Sequence, residues 1–70
     1  MIDKKYIYVN SNKIEWQKDF NITKILKVMN YTFKMIVVKV DGKLVKKESY
    51  DTFFVDENSD VKVIHLISGG

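Results

Sequence analysis

Two consecutive glycines, Gly69 and Gly70, close the sequence directly after the largely apolar run 61–68. Glycine carries no side chain, so this pair tolerates backbone conformations that other residues avoid and allows another chain to approach closely. A terminal carboxylate of this kind could enter a narrow enzyme channel and be activated there. The alternative is a frayed end without a chemical role, since termini are often poorly ordered. The rest of the sequence is needed to distinguish a reactive carboxylate from a frayed end.

Other candidates for chemistry are weak. His65 is the only histidine and there is no cysteine, so no metal site is expected. His65 is instead expected to be a packed or rim residue of the last strand. The acidic residues Asp51, Asp56, Glu57 and Asp60 would need a fixed cleft to act as paired catalytic carboxylates. A solvated polar turn is the better interpretation of this stretch.

Size and composition predict one soluble domain, residues 1–70. With 46% hydrophobic residues, the chain can build a core, near the lower size limit for unaided folding. The absence of cysteine is typical of a reducing cytoplasm, and neither a membrane span nor a secretory signal is expected. Twelve lysines and nine acidic residues are interspersed without arginine, which disfavours a nucleic-acid partner.

The first half of the chain reads as a hairpin followed by a helix. Residues 6–9 and 13–17 are predicted strands around the turn cluster Asn10-Ser11-Asn12. Apolar residues at helical spacing, Ile22, Ile25, Leu26 and Met29, then predict a helix that packs on the core. Asn21 is its expected N-cap.

The second half reads as another hairpin and a closing strand. Residues 35–40 and 43–45 are predicted strands, because Asp41-Gly42 is typical of a type I′ turn. Residues 46–58 are predicted to be irregular, with a short helical turn near 49–51 and with Phe53, Phe54 and Val55 packed on the core. Residues 61–67 form the predicted last strand.

This order, ββαββ, predicts an α+β fold of the β-grasp (ubiquitin-like) type. We expect a mixed four- to five-stranded sheet with one main helix packed on one face. The closing strand should pair in the middle, parallel to the first strand. Residues 66–70 would then leave the sheet as an extended tail.

The chain resembles the ThiS sulfur carrier family and, more distantly, its molybdopterin-pathway relative MoaD. The similarity covers nearly the whole length. Its most specific block is the last one, Val63-Ile64-His65-Leu66-Ile67-Ser68-Gly69-Gly70. The remaining blocks are Ile14-Glu15-Trp16, Asn21-Ile22-Thr23-Lys24-Ile25-Leu26, Val38-Lys39-Val40-Asp41-Gly42-Lys43-Leu44-Val45 and Glu48-Ser49-Tyr50. MoaD proteins usually carry prolines near the ending, and this chain has no proline.

The resemblance implies a carrier that is not itself an enzyme. A ThiF-like activating enzyme would use ATP to adenylate Gly70, and a partner persulfide would convert it to a thiocarboxylate. Thiazole synthase would then take the sulfur for the thiamin thiazole ring. No cofactor is expected on the carrier itself, which should be monomeric, with Leu66, Ile67, Ser68 and Gly69 forming the tail that enters each partner.

Strand alternation predicts how such partners dock. If the alternate residues of the sheet face the helix, Tyr6, Tyr8, Val37, Ile64 and Leu66 face away from it and form an open apolar surface. Three alternatives to a thiamin-pathway carrier stay open. They are a carrier for molybdopterin synthesis or tRNA thiolation, a ubiquitin-like protein modifier, and a β-grasp interaction domain whose Gly-Gly is incidental.

Overall fold

This computed structural model describes residues 3–31 and 35–66. They form a mixed five-stranded sheet with one α-helix. Residues outside these ranges are not described. The elements, in chain order, are β1 (Tyr6–Val9), β2 (Asn12–Glu15), α1 (Ile22–Val28), β3 (Ile36–Val40), β4 (Lys43–Val45), a short 3-10 helix (Lys47–Ser49) and β5 (Asp60–His65).

Both hairpins close through two-residue turns with left-handed backbone. Asn10 and Ser11 have φ values of 50° and 69° between β1 and β2, and Asp41 and Gly42 have 51° and 83° between β3 and β4. Positive φ at both turn positions is the type I′ arrangement, whose twist matches that of the flanking strands. Asn and Asp tolerate this region better than most side chains, and Gly tolerates it freely.

The closing strand β5 lies at the centre of the sheet. The strand order is β2-β1-β5-β3-β4, with β5 parallel to β1 and antiparallel to β3. A parallel pair needs a crossover connection, and α1 supplies part of it. This topology is the β-grasp fold, and it confirms the predicted α+β class with five strands.

The core lies between the helix and one face of the sheet. Its buried side chains alternate along β1, β3 and β5 and meet Ile22 and Ile25 of α1. The full set of buried apolar residues is Ile7, Val9, Phe20, Ile22, Ile25, Val38, Val40, Val45, Val55, Val61 and Val63. Leu26 and Met29, predicted on the same stripe, pack against this core while partly exposed.

The start of the helix confirms the predicted cap. The side-chain oxygen of Asn21 accepts a hydrogen bond from the backbone N–H of Lys24 at 2.7 Å. This bond satisfies one of the N–H groups that the first helical turn leaves without a partner.

Several boundaries differ from the prediction. Strand β2 spans Asn12–Glu15, and Trp16 lies beyond it, where its indole N–H donates to the Val55 carbonyl oxygen at 2.7 Å. Strand β5 spans Asp60–His65, so it begins one residue before its predicted start and Leu66 lies beyond it. The predicted end, at Ile67, lies outside the described residues. The helical turn of the connection spans Lys47–Ser49, slightly before its predicted position.

The prediction that Phe53 and Phe54 pack on the core is wrong. They are 37% and 55% exposed, whereas Val55 is buried. The backbone N–H of Val55 donates to the Phe20 carbonyl oxygen at 2.8 Å, and Asn21 forms a bridge with Phe54. The segment is therefore held beside the helix start, where Phe20 already supplies the buried aromatic ring.

Candidate functional site

The predicted tail would follow directly from the end of the central strand β5. Beyond His65, the backbone N–H of Leu66 still donates to the Met35 carbonyl oxygen at 2.9 Å. Leu66 is 43% exposed. The predicted tail residues Ile67, Ser68, Gly69 and Gly70 lie outside the described residues. Hydrogen bonding on the β3 side of β5 therefore continues up to Leu66.

On its other edge, β5 pairs with β1 over its first residues and is then held by a side chain. Strand β1 contributes only two register pairs, Tyr8↔Asp60 and Val9↔Val61. The amide of Asn10 then continues the pattern, because its oxygen accepts from the Val63 N–H at 2.8 Å and its nitrogen donates to the Val63 carbonyl oxygen at 3.1 Å. The Asn10 side chain thus replaces one further residue of β1.

The turn at Asn10 was predicted from the sequence, but the pairing of its side chain with Val63 was not. The same amide nitrogen also lies 3.3 Å from the Tyr31 hydroxyl. Left-handed backbone at Asn10 belongs to the turn itself, and Asn is among the few residues that accept it and also offer both a donor and an acceptor. An asparagine at the first position of a type I′ turn was the available signal.

The outer face of the sheet, opposite the helix, carries the predicted docking residues. Their neighbours along each strand, Ile7, Val9, Val38 and Val63, are buried in the core, so alternation directs the predicted residues away from the helix. Tyr8, Ile64 and Leu66 are 39%, 45% and 43% exposed. Tyr6 and Val37 are half-buried.

The register divides these five residues into two groups. Val37 lies directly opposite Ile64, and Leu66 follows two positions later; we call Val37, Ile64 and Leu66 the exit patch. Tyr8 lies opposite Asp60, and four residues of strand, about 13 Å, separate Asp60 from Ile64. Tyr6 and Tyr8 therefore form a separate aromatic group on the same face.

Lysines accompany both groups. The Lys13 ammonium lies 4.4 Å from the centre of the Tyr6 ring, within the range of a cation–π interaction. Lys39 and Lys62 lie directly opposite each other, one outward position from the Val37 and Ile64 pair. Leu44, which pairs with Lys39 and is 61% exposed, also belongs to this face and was absent from the predicted set. The sequence could have indicated Leu44, because strand alternation puts it on the face opposite to Val45.

A groove of about 470 Å³ opens beside the helix, and its lining residues are Thr23, Leu26, Lys27, Tyr31, Ile36, Lys47 and Tyr50. Burial raises the pKa of the Tyr50 hydroxyl. Residues 3–31 and 35–66 contain no cluster of three potential metal ligands. His65 lies exposed at the end of β5.

Within the same described ranges, no helix has the length and apolarity to cross a membrane. The α-helix α1 has seven residues. A membrane-spanning helix needs about 20.

Comparison with solved structures identifies the same fold in the thiamine biosynthesis protein ThiS of Geobacter metallireducens. The alignment covers 93% of this chain and 99% of that chain, with a TM-score of 0.77 and 19% sequence identity. This likeness confirms the fold that the resemblance to ThiS implied. No protein-family model matches the chain, and no curated protein matches it at a significant level.

Proposed function

We propose that this protein is a sulfur carrier that donates sulfur during assembly of the thiamin thiazole ring. The observation that carries the proposal is the position of β5. It is the central strand of a β-grasp sheet, it is held on both edges, and it leads within five residues from His65 to Gly70. The fold shared with a thiamine biosynthesis protein and the Gly69-Gly70 ending support the same role.

The chemistry begins at the α-carboxylate of Gly70, which the proposal requires to be free in the mature protein. A carboxylate oxygen attacks the α-phosphorus of ATP, and pyrophosphate leaves. The product is an acyl-adenylate, whose carbonyl carbon is open to nucleophiles because neither Gly70 nor Gly69 carries a side chain. ATP is bound and positioned by a ThiF-like activating enzyme.

Sulfur then enters from a persulfide on a partner protein. The terminal persulfide sulfur attacks the carbonyl carbon and AMP leaves, which gives an acyl disulfide. A second thiol attacks the partner's sulfur of that disulfide, so the acyl group departs as a thiocarboxylate and the two partner sulfurs form a new disulfide. The thiol is thereby oxidised and the transferred sulfur is reduced.

In this role the protein is a substrate, and its partners supply the catalytic groups. The activating enzyme and the thiazole synthase both have to accept the extended tail, which from Leu66 to Gly70 reaches roughly 16 Å at ~3.3 Å per residue. The exit patch lies at the base of that tail. We propose that it docks against both partners, with Tyr6 and Tyr8 extending the contact, while Gly70 enters each active site.

The experiment is activation by a purified ThiF-like enzyme from the same organism. Pyrophosphate release should depend on ATP and on the full chain, and a matched chain lacking Gly69 and Gly70 should give none. The thiocarboxylated product should then support thiazole formation by thiazole synthase. Sulfur delivery to molybdopterin synthase or to tRNA instead would reassign the pathway, and a ladder of covalent conjugates would identify a protein modifier.

A further inference from the structure

Two lysines form a direct cross-strand pair on the outer face of the sheet. Lys39 of β3 lies opposite Lys62 of β5, and residues in this position have Cβ atoms about 4.5–5.5 Å apart. Like charges placed directly opposite each other destabilise a sheet. The free protein therefore keeps a local arrangement that costs stability, between its two most central antiparallel strands.

The charge of this pair is only partly compensated. Lys62 has one acidic neighbour, Asp60, at 3.9 Å between the ammonium and a carboxylate oxygen, with both side chains about half exposed. An exposed pair at this distance contributes little. Lys39 makes no ion pair within residues 3–31 and 35–66. A net positive site remains on this part of the face.

The lysine pair adjoins the exit patch. Along both strands, the next outward pair after Lys39 and Lys62 is Val37 and Ile64. Two long side chains that start so close together can converge on the two oxygens of one carboxylate. An apolar side chain of the same partner would cover Val37 and Ile64, which would exclude water from the ion pair and strengthen it.

We propose that Lys39 and Lys62 together bind a carboxylate of the partner's docking surface, an Asp or Glu set beside an apolar side chain that covers Val37 and Ile64. This inference rests on the proposed function, because it concerns the surface on which the activating enzyme docks. It assigns the like-charge pair a role in recognition. The free protein keeps the repulsion, and the partner's carboxylate relieves it.

The decisive variant is Lys39→Glu, which should act in opposite directions on stability and on binding. In the free protein, the introduced carboxylate would pair with Lys62, and the melting temperature should rise by a few degrees. Against the activating enzyme, the dissociation constant at about 0.05 M salt should rise about tenfold or more. Raising the salt to about 0.5 M should weaken wild-type binding and bring the two proteins closer together in affinity.

The matched control is Lys18→Glu. Lys18 is exposed in the turn between β2 and α1, so this variant makes the same change in net charge away from the Lys39 and Lys62 pair, since β2 and β5 are separated by β1. The double variant Lys39→Gln/Lys62→Gln removes the charges without introducing an acid, and it should also weaken binding while the fold is retained. Titration calorimetry with the purified enzyme measures all four proteins.

Weaker binding by Lys39→Glu and by the double glutamine variant, with Lys18→Glu near wild type, is the expected result. Equal losses for Lys39→Glu and Lys18→Glu would mean that only net charge matters, and would overturn the inference. Wild-type affinity in the double glutamine variant would overturn it as well. Pyrophosphate release by the wild type is measured in parallel. Its absence would show that the proposed function is wrong, and the inference, which rests on that function, would be refuted with it.

Discussion

The side-chain amide of Asn10 is hydrogen-bonded to both backbone groups of Val63, at 2.8 Å from the Val63 N–H and 3.1 Å from its carbonyl oxygen. Strand β1 has already turned away at this point, so the amide supports β5 where a neighbouring strand would otherwise be required. Val63 lies three residues before Leu66. This pairing therefore holds the second half of β5.

Asn10→Gly should destabilise the protein by about 1–3 kcal/mol, the sum expected for two partly buried hydrogen bonds. Glycine accepts the positive φ, so backbone strain does not contribute to the loss. Asn10→Ala should cost about 1 kcal/mol more, because alanine is strained in this region. Denaturant unfolding and hydrogen exchange at the Val63 amide measure both effects.

The matched control for this prediction is Ser11→Gly at the other left-handed turn position. It should leave stability near or slightly above wild type. Unchanged unfolding and unchanged Val63 exchange in Asn10→Gly would show that the side-chain pairing contributes nothing.

Trp16 should link the connection 46–58 to the rest of the fold. Trp16→Phe removes the N–H that donates to Val55 and should cost about 1–2 kcal/mol, because the partly buried carbonyl loses its partner. Lys5 lies 5.9 Å from the Trp16 ring, and Lys5→Gln serves as the control, with an expected loss under about 0.5 kcal/mol. Lys5→Gln also removes the ion pair with Glu57 at 3.1 Å, so equal losses in the two variants would contradict the indole hydrogen bond as the main contribution.

The helix cap at Asn21 should be measurable by two substitutions. Asn21→Ala removes the acceptor for the Lys24 N–H and should destabilise the protein by about 1 kcal/mol. Asn21→Ser keeps a capping oxygen but loses the bond from the Asn21 nitrogen to the Asp51 carbonyl oxygen, so it should lie between alanine and wild type. A serine variant no more stable than alanine would contradict the cap as the main contribution.

A substitution in the exit patch should lower the affinity for the partners and leave the fold unchanged. Ile64→Asp places a charge at the centre of the patch, and it should weaken binding to both the activating enzyme and the thiazole synthase because a carboxylate would be desolvated there. Phe54→Asp is the control, since Phe54 is also about half exposed and lies beside the helix start. Both variants should keep a cooperative unfolding transition. Wild-type affinity in Ile64→Asp would exclude this surface.

The pKa of Asp19 should lie below its ordinary value. The Lys24 ammonium donates a hydrogen bond to the Asp19 carboxylate at 2.8 Å, which favours the charged form. Since folding lowers this pKa, its contribution to stability is present above about pH 4 and is lost as the pH falls through the folded value. Titration by NMR should show the Asp19 pKa rising in Lys24→Gln; an unchanged pKa would exclude Lys24 as the cause.

Local patterns were sufficient to predict the helix, the strands and the faces of the strand residues. Asn10-Ser11 and Asp41-Gly42 determine the turns, and alternation along β5 assigns Val63 to the core and Ile64 to the outer face. These features depend on residues close in sequence, where turn chemistry and side-chain periodicity act directly.

Features that depend on distant segments were not predictable in this way. The pairing of Asn10 with Val63 and the burial of Phe20 in place of Phe53 both depend on how the connection and β5 dock. The separation of Tyr8 from Ile64 likewise depends on the parallel register of β1 and β5. Alternation assigns a face to each residue, but it does not fix distances along neighbouring strands.

Intact-mass spectrometry of the protein after incubation with activating enzyme, ATP, a persulfide donor and a thiol tests the central claim most directly. Exchange of one carboxylate oxygen of Gly70 for sulfur should add about 16 Da, and a chain lacking Gly70 should gain nothing. An unmodified mass under conditions that release pyrophosphate would contradict the sulfur-carrier role. A mass showing that Gly70 is not the terminal residue of the mature protein would contradict it as well.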